Sequence, residues 1–138
     1  MGRKVREGRL DEVVSCIACN QGCFDALFSG RAVGCVLNPR AGREWEITIA
    51  EAPRKKRILV AGGGPAGMMF SLTAAARGHE VTLVEQDDVL GGQVNLAAVP
   101  PGKKEFATLV DGMARRLSQA HVAVRCGTRA VPELLGAQ

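Results

Sequence analysis

The stretch from Ile58 to Gly67 reads ILVAGGGPAG, and it decides the fold of this 138-residue chain. Its first four residues form a continuous apolar run, which is typical of a parallel strand that is buried on both faces. The alanine-rich segment from Met68 to Arg77 has the character of a helix, and Gly78 provides its stop. Val81 to Val84 form a second apolar run. This order of strand, loop, helix and strand predicts a parallel βαβ unit with a right-handed crossover.

The glycines of this stretch fit a dinucleotide-binding fingerprint, because they follow a strand, open a helix and precede an acid at the end of the next strand. Gly62 permits the tight turn, Gly64 lets the backbone approach a pyrophosphate, and Gly67 lets the helix pack closely on the sheet. Glu85 is the acid, and its carboxylate is suited to a ribose diol and unsuited to a 2′-phosphate. The pattern therefore favours FAD or NAD over NADP, although a glycine turn that binds nothing remains an alternative.

A second glycine turn, Leu90 to Gln93, favours FAD over NAD, because flavoproteins often place such a turn near the cofactor. The fingerprint alone leaves the choice between the two cofactors open. The predicted nucleotide-binding residues are Gly62, Gly64, Pro65, Ala66, Gly67, Glu85, Gly92 and Gln93.

Residues 103–119 are predicted to form an amphipathic helix, and residues 121–125 a further strand. The apolar face of the helix comprises Phe106, Leu109, Val110, Met113 and Leu117.

Upstream of the glycine loop, regular structure is expected to be sparse. The sequence predicts a short helical stretch from Asp11 to Val14 and one or two helical turns from Phe24 to Phe28. It also predicts a short strand from Trp45 to Ala50, where apolar and polar residues alternate. The sequence therefore divides into two parts, a cysteine-rich segment at residues 1–52 and a partial dinucleotide-binding domain at residues 53–138.

Four of the five cysteines are clustered in the first part, in the pattern C-x2-C-x3-C-x11-C at Cys16, Cys19, Cys23 and Cys35. Four thiolates can ligate a [4Fe–4S] cluster or a structural zinc ion. Three crowded ligands and a distant fourth favour the cluster, since zinc ribbons usually pair two C-x2-C knuckles. Zinc and unligated thiols remain alternatives. The fifth, Cys126, is predicted to be a small buried hydrophobe.

Composition narrows the function classes. The net charge is +4, and basic residues concentrate at Arg3 to Arg9 and Arg54 to Arg57. Aromatic residues are not interleaved with them, so solvated linkers or an acidic partner are expected rather than nucleic acid.

No apolar run has the roughly 18–20 residues of a membrane span. Clustered thiols without a secretory apolar region predict a reducing cytoplasm. The sequence shows no positioned acid, base or nucleophile, since His79 and His121 are expected to be structural. A complete standalone reductase is therefore disfavoured.

Together these motifs resemble the iron–sulfur flavoproteins similar to bacterial 2,4-dienoyl-CoA reductase and trimethylamine dehydrogenase. The likeness extends from about Gly8 to about Gly127. Cys16 to Cys23 resemble the cluster motif, and Cys35 to Pro39 resemble its last ligand. In that family an FMN-binding (β/α)8 barrel comes first, a [4Fe–4S] linker follows, and a glutathione-reductase-like region holds FAD or ADP. The resemblance implies an α/β fold, a partial Rossmann-like parallel sheet preceded by an irregular iron–sulfur segment.

The barrel, the nicotinamide-binding insertion and the end of the flavin domain are absent from this chain. The resemblance therefore implies an electron-transfer subunit that is not catalytic alone, in which the cluster relays electrons between FMN on a barrel subunit and FAD here. ADP or NAD are the alternatives for the nucleotide that this chain binds. A further chain would complete the flavin domain. Met1 at the point where the barrel would end favours a natural small subunit over a cut piece. The alternative is an assembly module with a structural metal and ADP or no flavin. The substrate, the electron donor and the direction of flow are not identified.

Overall fold

The computed structural model describes residues 2–136. Its regular elements within that range, in chain order, are α1 (Gly2–Arg6), a 3₁₀ turn (Leu10–Glu12), α2 (Phe24–Phe28), β1 (Arg57–Ala61), α3 (Pro65–Ala76), β2 (Glu80–Val84), α4 (Gln93–Ala97), α5 (Glu105–Gln119), β3 (Ala123–Arg125) and α6 (Glu133–Gly136). No helix in that part of the chain is long and apolar enough to cross a bilayer.

The three strands form one parallel sheet in the order β1-β2-β3. Ile58 lies opposite Val81, and Leu83 lies opposite Val124. The predicted βαβ unit is therefore confirmed, since α3 connects two adjacent parallel strands. Among the described residues β2 is the central strand and has a neighbour on each side.

Burial differs between the strands. β2 is buried from Val81 to Val84, whereas β1 buries only Val60 and β3 is exposed throughout. The prediction that the first apolar run is buried on both faces is thus wrong for β1. The reason is position in the sheet, because β1 has a described neighbour on one side only, so its ends stay open to solvent. The apolar run alone does not distinguish a central strand from an edge strand.

Two helices cover the sheet. α3 contacts β2 and α5, and α5 presents the predicted face, with Val110, Met113 and Leu117 buried. α3 begins at Pro65, three residues earlier than predicted, because proline is well suited to the first helical position. Gly78 lies just after α3 and has φ +87°. This left-handed conformation is common where a helix ends, so the predicted stop is confirmed.

The cysteine-rich part contains no strand in the described residues, and the predicted strand from Trp45 to Ala50 is wrong. A turn replaces its start: Glu46 N–H donates to the Arg43 carbonyl at 3.1 Å, and the two side chains form an ion pair at 2.8 Å. Trp45 is 74% exposed. An alternating pattern forms a strand only where a neighbouring strand can pair with it, and none lies beside this segment.

Candidate functional site

The glycine loop is fastened to the end of β2. Gly62, at φ +101°, donates its N–H to the Val84 carbonyl at 2.8 Å. A side chain at Gly67 would overlap the Gly62 carbonyl oxygen, so the first turn of α3 lies directly against the loop. These are the two roles that the sequence predicts for the first and last glycines.

Gly64 faces open space, since no atom lies within 4 Å of the position that a side chain there would occupy. It is the residue that precedes α3, so the free N–H groups of the helix start beside it. The N–H groups of Ala66 and Gly67 have no backbone acceptor in residues 2–136. An open glycine beside unpaired N–H groups and the positive end of a helix dipole suits a phosphate.

Glu85 is held against this loop and is only 7% exposed. Its Oε1 accepts the Asp87 N–H at 3.0 Å, and its Oε2 accepts the Gly63 N–H at 2.6 Å. These hydrogen bonds, that of Asp87 first, lower the pKa of the carboxyl from its usual 4.5, although burial acts in the opposite direction. The carboxylate is therefore ionised at neutral pH, and its remaining lone pairs can accept hydroxyl groups.

The second glycine turn meets the first. Gly91 N–H donates to the Gly63 carbonyl at 2.9 Å, and a side-chain carbon at Gly92 would lie 3.6 Å from the Gly64 Cα. Gln93 begins α4, directly after Gly92. The structure thus brings both predicted turns to one end of the sheet, although α3 and β2 separate them in the sequence.

A cavity of about 390 Å³ lies between the two parts of the chain. Its wall includes Ile17 and Leu37 from the cysteine-rich part, Pro65 and Ala66 from the start of α3, and Met113 from α5. The sequence did not predict it, although the apolar residues that flank the cysteines are a signal for a packed face. The cavity places the cysteine-rich segment next to the glycine loop.

The four clustered cysteines are accessible to different degrees. Cys16 and Cys35 are exposed and border a second pocket, separate from the 390 Å³ cavity, whereas Cys19 and Cys23 are half-buried. Within residues 2–136, no group of three or more His, Cys, Asp or Glu side chains is arranged to hold a metal ion. The structure therefore contains no closed metal site in its described part.

The backbone nevertheless draws the last cysteine toward the first three. Gly34 N–H donates to the Gly22 carbonyl at 2.7 Å, and a side-chain carbon at Gly22 would lie 3.3 Å from the Cys35 Cα. Ala18, at φ +52°, directs its N–H to the Cys16 Sγ at 3.3 Å. Four thiols on such a loop, with one N–H group turned toward a sulfur, are a donor set that fits an iron–sulfur cluster.

Cys126 is exposed, so the prediction that it is a buried hydrophobe is wrong. It follows Arg125, the last residue of β3, and all of β3 is exposed. At the end of an edge strand no second layer covers the thiol.

Comparison with known proteins identifies the family of this chain. The family profile described as FAD dependent oxidoreductase matches residues 57–133. An NADH oxidase of Thermoanaerobacter brockii is 44% identical over 137 residues, which are 98% of this chain and 21% of that protein. A metal reductase of Desulforamulus reducens is 41% identical over 130 residues, 94% of this chain and 20% of that protein.

Solved structures agree with the fold along nearly the whole chain. A 2-naphthoyl-CoA reductase in complex with 2-naphthoyl-CoA superposes with a TM-score of 0.92 at 38% identity, covering 98% of this chain and 21% of that one. Histamine dehydrogenase from Rhizobium sp. 4-9 gives a TM-score of 0.86 at 30% identity, covering 98% and 22%. The chain spans about a fifth of the length of these relatives.

The parallel sheet, the glycine loop and the acid at the end of β2 are the features of a partial Rossmann-like fold. The chain belongs to the FAD-dependent oxidoreductases, in the group similar to 2,4-dienoyl-CoA reductase and trimethylamine dehydrogenase.

Proposed function

We propose that this chain is the electron-transfer unit of an iron–sulfur flavoprotein oxidoreductase. A [4Fe–4S] cluster on Cys16, Cys19, Cys23 and Cys35 relays single electrons between FAD at the glycine loop and FMN on a barrel subunit. The observation that carries the proposal is adjacency: Ile17 and Leu37, from the cysteine-rich part, and Pro65, which opens α3, border one cavity. Relatives bearing the names NADH oxidase and metal reductase support an electron-transfer chemistry.

The nucleotide is held mainly by backbone groups in this proposal. The N–H groups of Ala66 and Gly67 bind the pyrophosphate above Gly64, and the Glu85 carboxylate accepts the ribose hydroxyls. Gly92 and Gln93 close the site from the second turn. FAD, when bound, supplies the exchange between two-electron and one-electron transfer. The same contacts would hold the ADP portion of ADP or NAD, and FAD is preferred because of the family.

The cysteine loop holds the cluster in this proposal through its four thiolates. The Ala18 N–H, already directed at the Cys16 sulfur, stabilises negative charge there and tunes the reduction potential. The Gly22–Gly34 hydrogen bond keeps Cys23 and Cys35 near each other.

Exposed apolar surface supports association with other chains. On α2, Phe24, Leu27 and Phe28 are 56%, 60% and 77% exposed. Among the described residues, β1 and β3 also form the open edges of the sheet. Apolar patches and unpaired strand edges of this kind usually meet a partner. We assign the α2 surface to the FMN-binding barrel and the sheet edges to a chain that completes the flavin domain.

An assembly module with a structural metal is the second candidate. The observation that favours it is the exposed apolar surface of α2, at Phe24, Leu27 and Phe28, since such a surface usually meets a partner. The two candidates differ in one property: the electron-transfer unit carries a reducible flavin in complex with its partner, and the assembly module does not.

Anaerobic reconstitution of the full chain with iron, sulfide and FAD tests the proposal. We expect about four irons and four sulfides per chain, with broad visible absorbance that bleaches on reduction. Cys23→Ser should lose the iron, and Cys126→Ser is the matched control that should keep it. One zinc per chain with no iron would contradict the cluster, and full iron retention in Cys23→Ser would contradict its ligand set.

A further inference from the structure

The side-chain amide of Asn95 occupies a position that no motif predicts. Its Nδ2 donates to the Leu90 carbonyl at 2.9 Å, across the base of the second glycine turn. Its Cγ and Nδ2 lie 2.9 Å from the position that a side chain at Gly91 would need. Gly91, at φ +115°, is therefore required both by its backbone conformation and by the amide that fills its side-chain space.

The second glycine turn, to which Asn95 is hydrogen-bonded, also contacts the first glycine loop. Gly91 donates its N–H to the Gly63 carbonyl at 2.9 Å, and Gly92 approaches Gly64. The Leu90 side chain lies over Gly63, where its Cδ2 is 2.5 Å from the position of an added side-chain carbon. Three consecutive residues of the turn thus touch the loop, and the first of them is hydrogen-bonded to Asn95.

α4 cannot fix the turn by itself. It has five residues, and its first residue is preceded by Gly92, which has no side chain to cap the helix. Isolated helices of this length are not stable in water. α4 packs against α5 and the core through Val94, and the Asn95–Leu90 hydrogen bond adds a local link between the helix and the turn that precedes it.

We propose that Asn95 is a positioning residue for the nucleotide site, which holds the Leu90–Gly92 turn closed against the glycine loop so that the cradle is formed before the nucleotide arrives. This inference rests on the proposed function for the identity of the ligand. It does not require Asn95 to touch the nucleotide.

The test uses the full chain with FAD and ADP as probes. We compare Asn95→Ala, the isosteric Asn95→Asp, which has no amide hydrogens to donate to the Leu90 carbonyl, and Leu96→Ala. Leu96 is the next residue on α4 and is exposed, so it serves as the matched control. Dissociation constants, unfolding midpoints of the ligand-free chain and amide hydrogen exchange of the peptide covering residues 88–96 are measured.

We expect both Asn95 variants to weaken FAD and ADP about fivefold to tenfold, as the loss of one preorganising hydrogen bond implies. Exchange at residues 88–96 should become faster while exchange in β2 stays unchanged, and Leu96→Ala should match wild type in both. Wild-type affinity in both Asn95 variants would overturn the inference. So would a loss that only follows a lower unfolding midpoint in Asn95→Ala, with Asn95→Asp unaffected. If the wild type binds neither probe, the proposed function fails, and the exchange measurement still decides whether Asn95 fixes the turn.

Discussion

The glycine-loop half and the cysteine-rich half of this chain form their candidate sites in different ways. In the first, three parallel strands and two packed helices fix the loop through backbone hydrogen bonds, such as that from Gly62 to Val84. In the second, no strand is present among the described residues, and the buried apolar side chains are Ile17, Ala26 and Leu37. The candidate nucleotide site is therefore formed by the fold, whereas a metal site at the four cysteines would need its ligand to draw the thiols together.

The largest effect that can sharpen this contrast comes from two core truncations. Leu117 is fully buried between α5 and the sheet, so Leu117→Ala should lower the free energy of unfolding by about 3–4 kcal/mol. Ile17→Ala should instead lower the stability of the cysteine-rich half alone, because Ile17 lines an existing cavity. Urea unfolding combined with hydrogen exchange distinguishes the two. An equal loss of global stability in both variants would show that the halves unfold as one unit.

The next effect concerns two glycines of the same loop. Gly67→Ala should destabilise the chain by about 2–3 kcal/mol, because the added carbon overlaps the Gly62 carbonyl oxygen. Gly64→Ala should keep the fold, since its side-chain space is open, and should weaken FAD binding, since the nucleotide needs that space. Thermal unfolding and FAD titration measure the two properties separately. A Gly67→Ala chain with a wild-type midpoint would disprove the close packing of α3.

A smaller effect depends on pH and involves Glu85. Its pKa is lower in the folded chain than in the unfolded one, so its charge stabilises the fold above the unfolded value of about 4.5. That contribution is lost as the pH falls through the folded pKa. Glu85→Gln should therefore be less stable than wild type at about pH 7, and the difference should shrink toward about pH 3. Urea midpoints across this range check it, and a gap independent of pH would exclude a role for the charge.

The smallest effect is expected within α3. The Ser71 hydroxyl is fully buried and has no hydrogen-bond partner among the described residues. Ser71→Ala should leave stability unchanged within about 0.5 kcal/mol or raise it slightly. Thr73→Val is the matched control, since the Thr73 hydroxyl donates to the Met69 carbonyl at 2.9 Å, and it should show a small loss. A clear loss in Ser71→Ala would reveal a partner for that hydroxyl.

The sequence predicted the βαβ unit because its signals are local: an apolar run, spaced glycines and an acid at the end of the next strand. It predicted α5 for the same reason, since Val110, Met113 and Leu117 repeat at helical spacing. It did not predict α1 or α4, which have five residues each and no apolar periodicity to mark them.

The remaining features depend on contacts between distant segments. Trp45 to Ala50 alternates as a strand would, but strand pairing is decided by a neighbour that the pattern cannot show. The prediction that Cys126 is buried was wrong, because whether a strand lies at the edge of a sheet depends on the other strands and not on its own sequence. The hydrogen bond from Asn95 to Leu90 and the cavity beside Pro65 form only when the chain is folded. The candidate nucleotide residues were all named from the sequence, and what the sequence could not give was how the two turns meet.

The hydrogen bond between Gly34 and Gly22 has a consequence for the chain between Cys23 and Cys35. It closes that stretch into a loop whose two ends are fixed, so the number of residues inside does not set the separation of the two cysteines. Gly30 lies near the tip, at φ +64° with no atom within 4 Å of its side-chain position. The loop between the two cysteines can therefore change length without moving the cysteines apart, and we expect a spacing of eleven residues to be one of several that this segment tolerates. The same point is a suitable place to graft a reporter peptide.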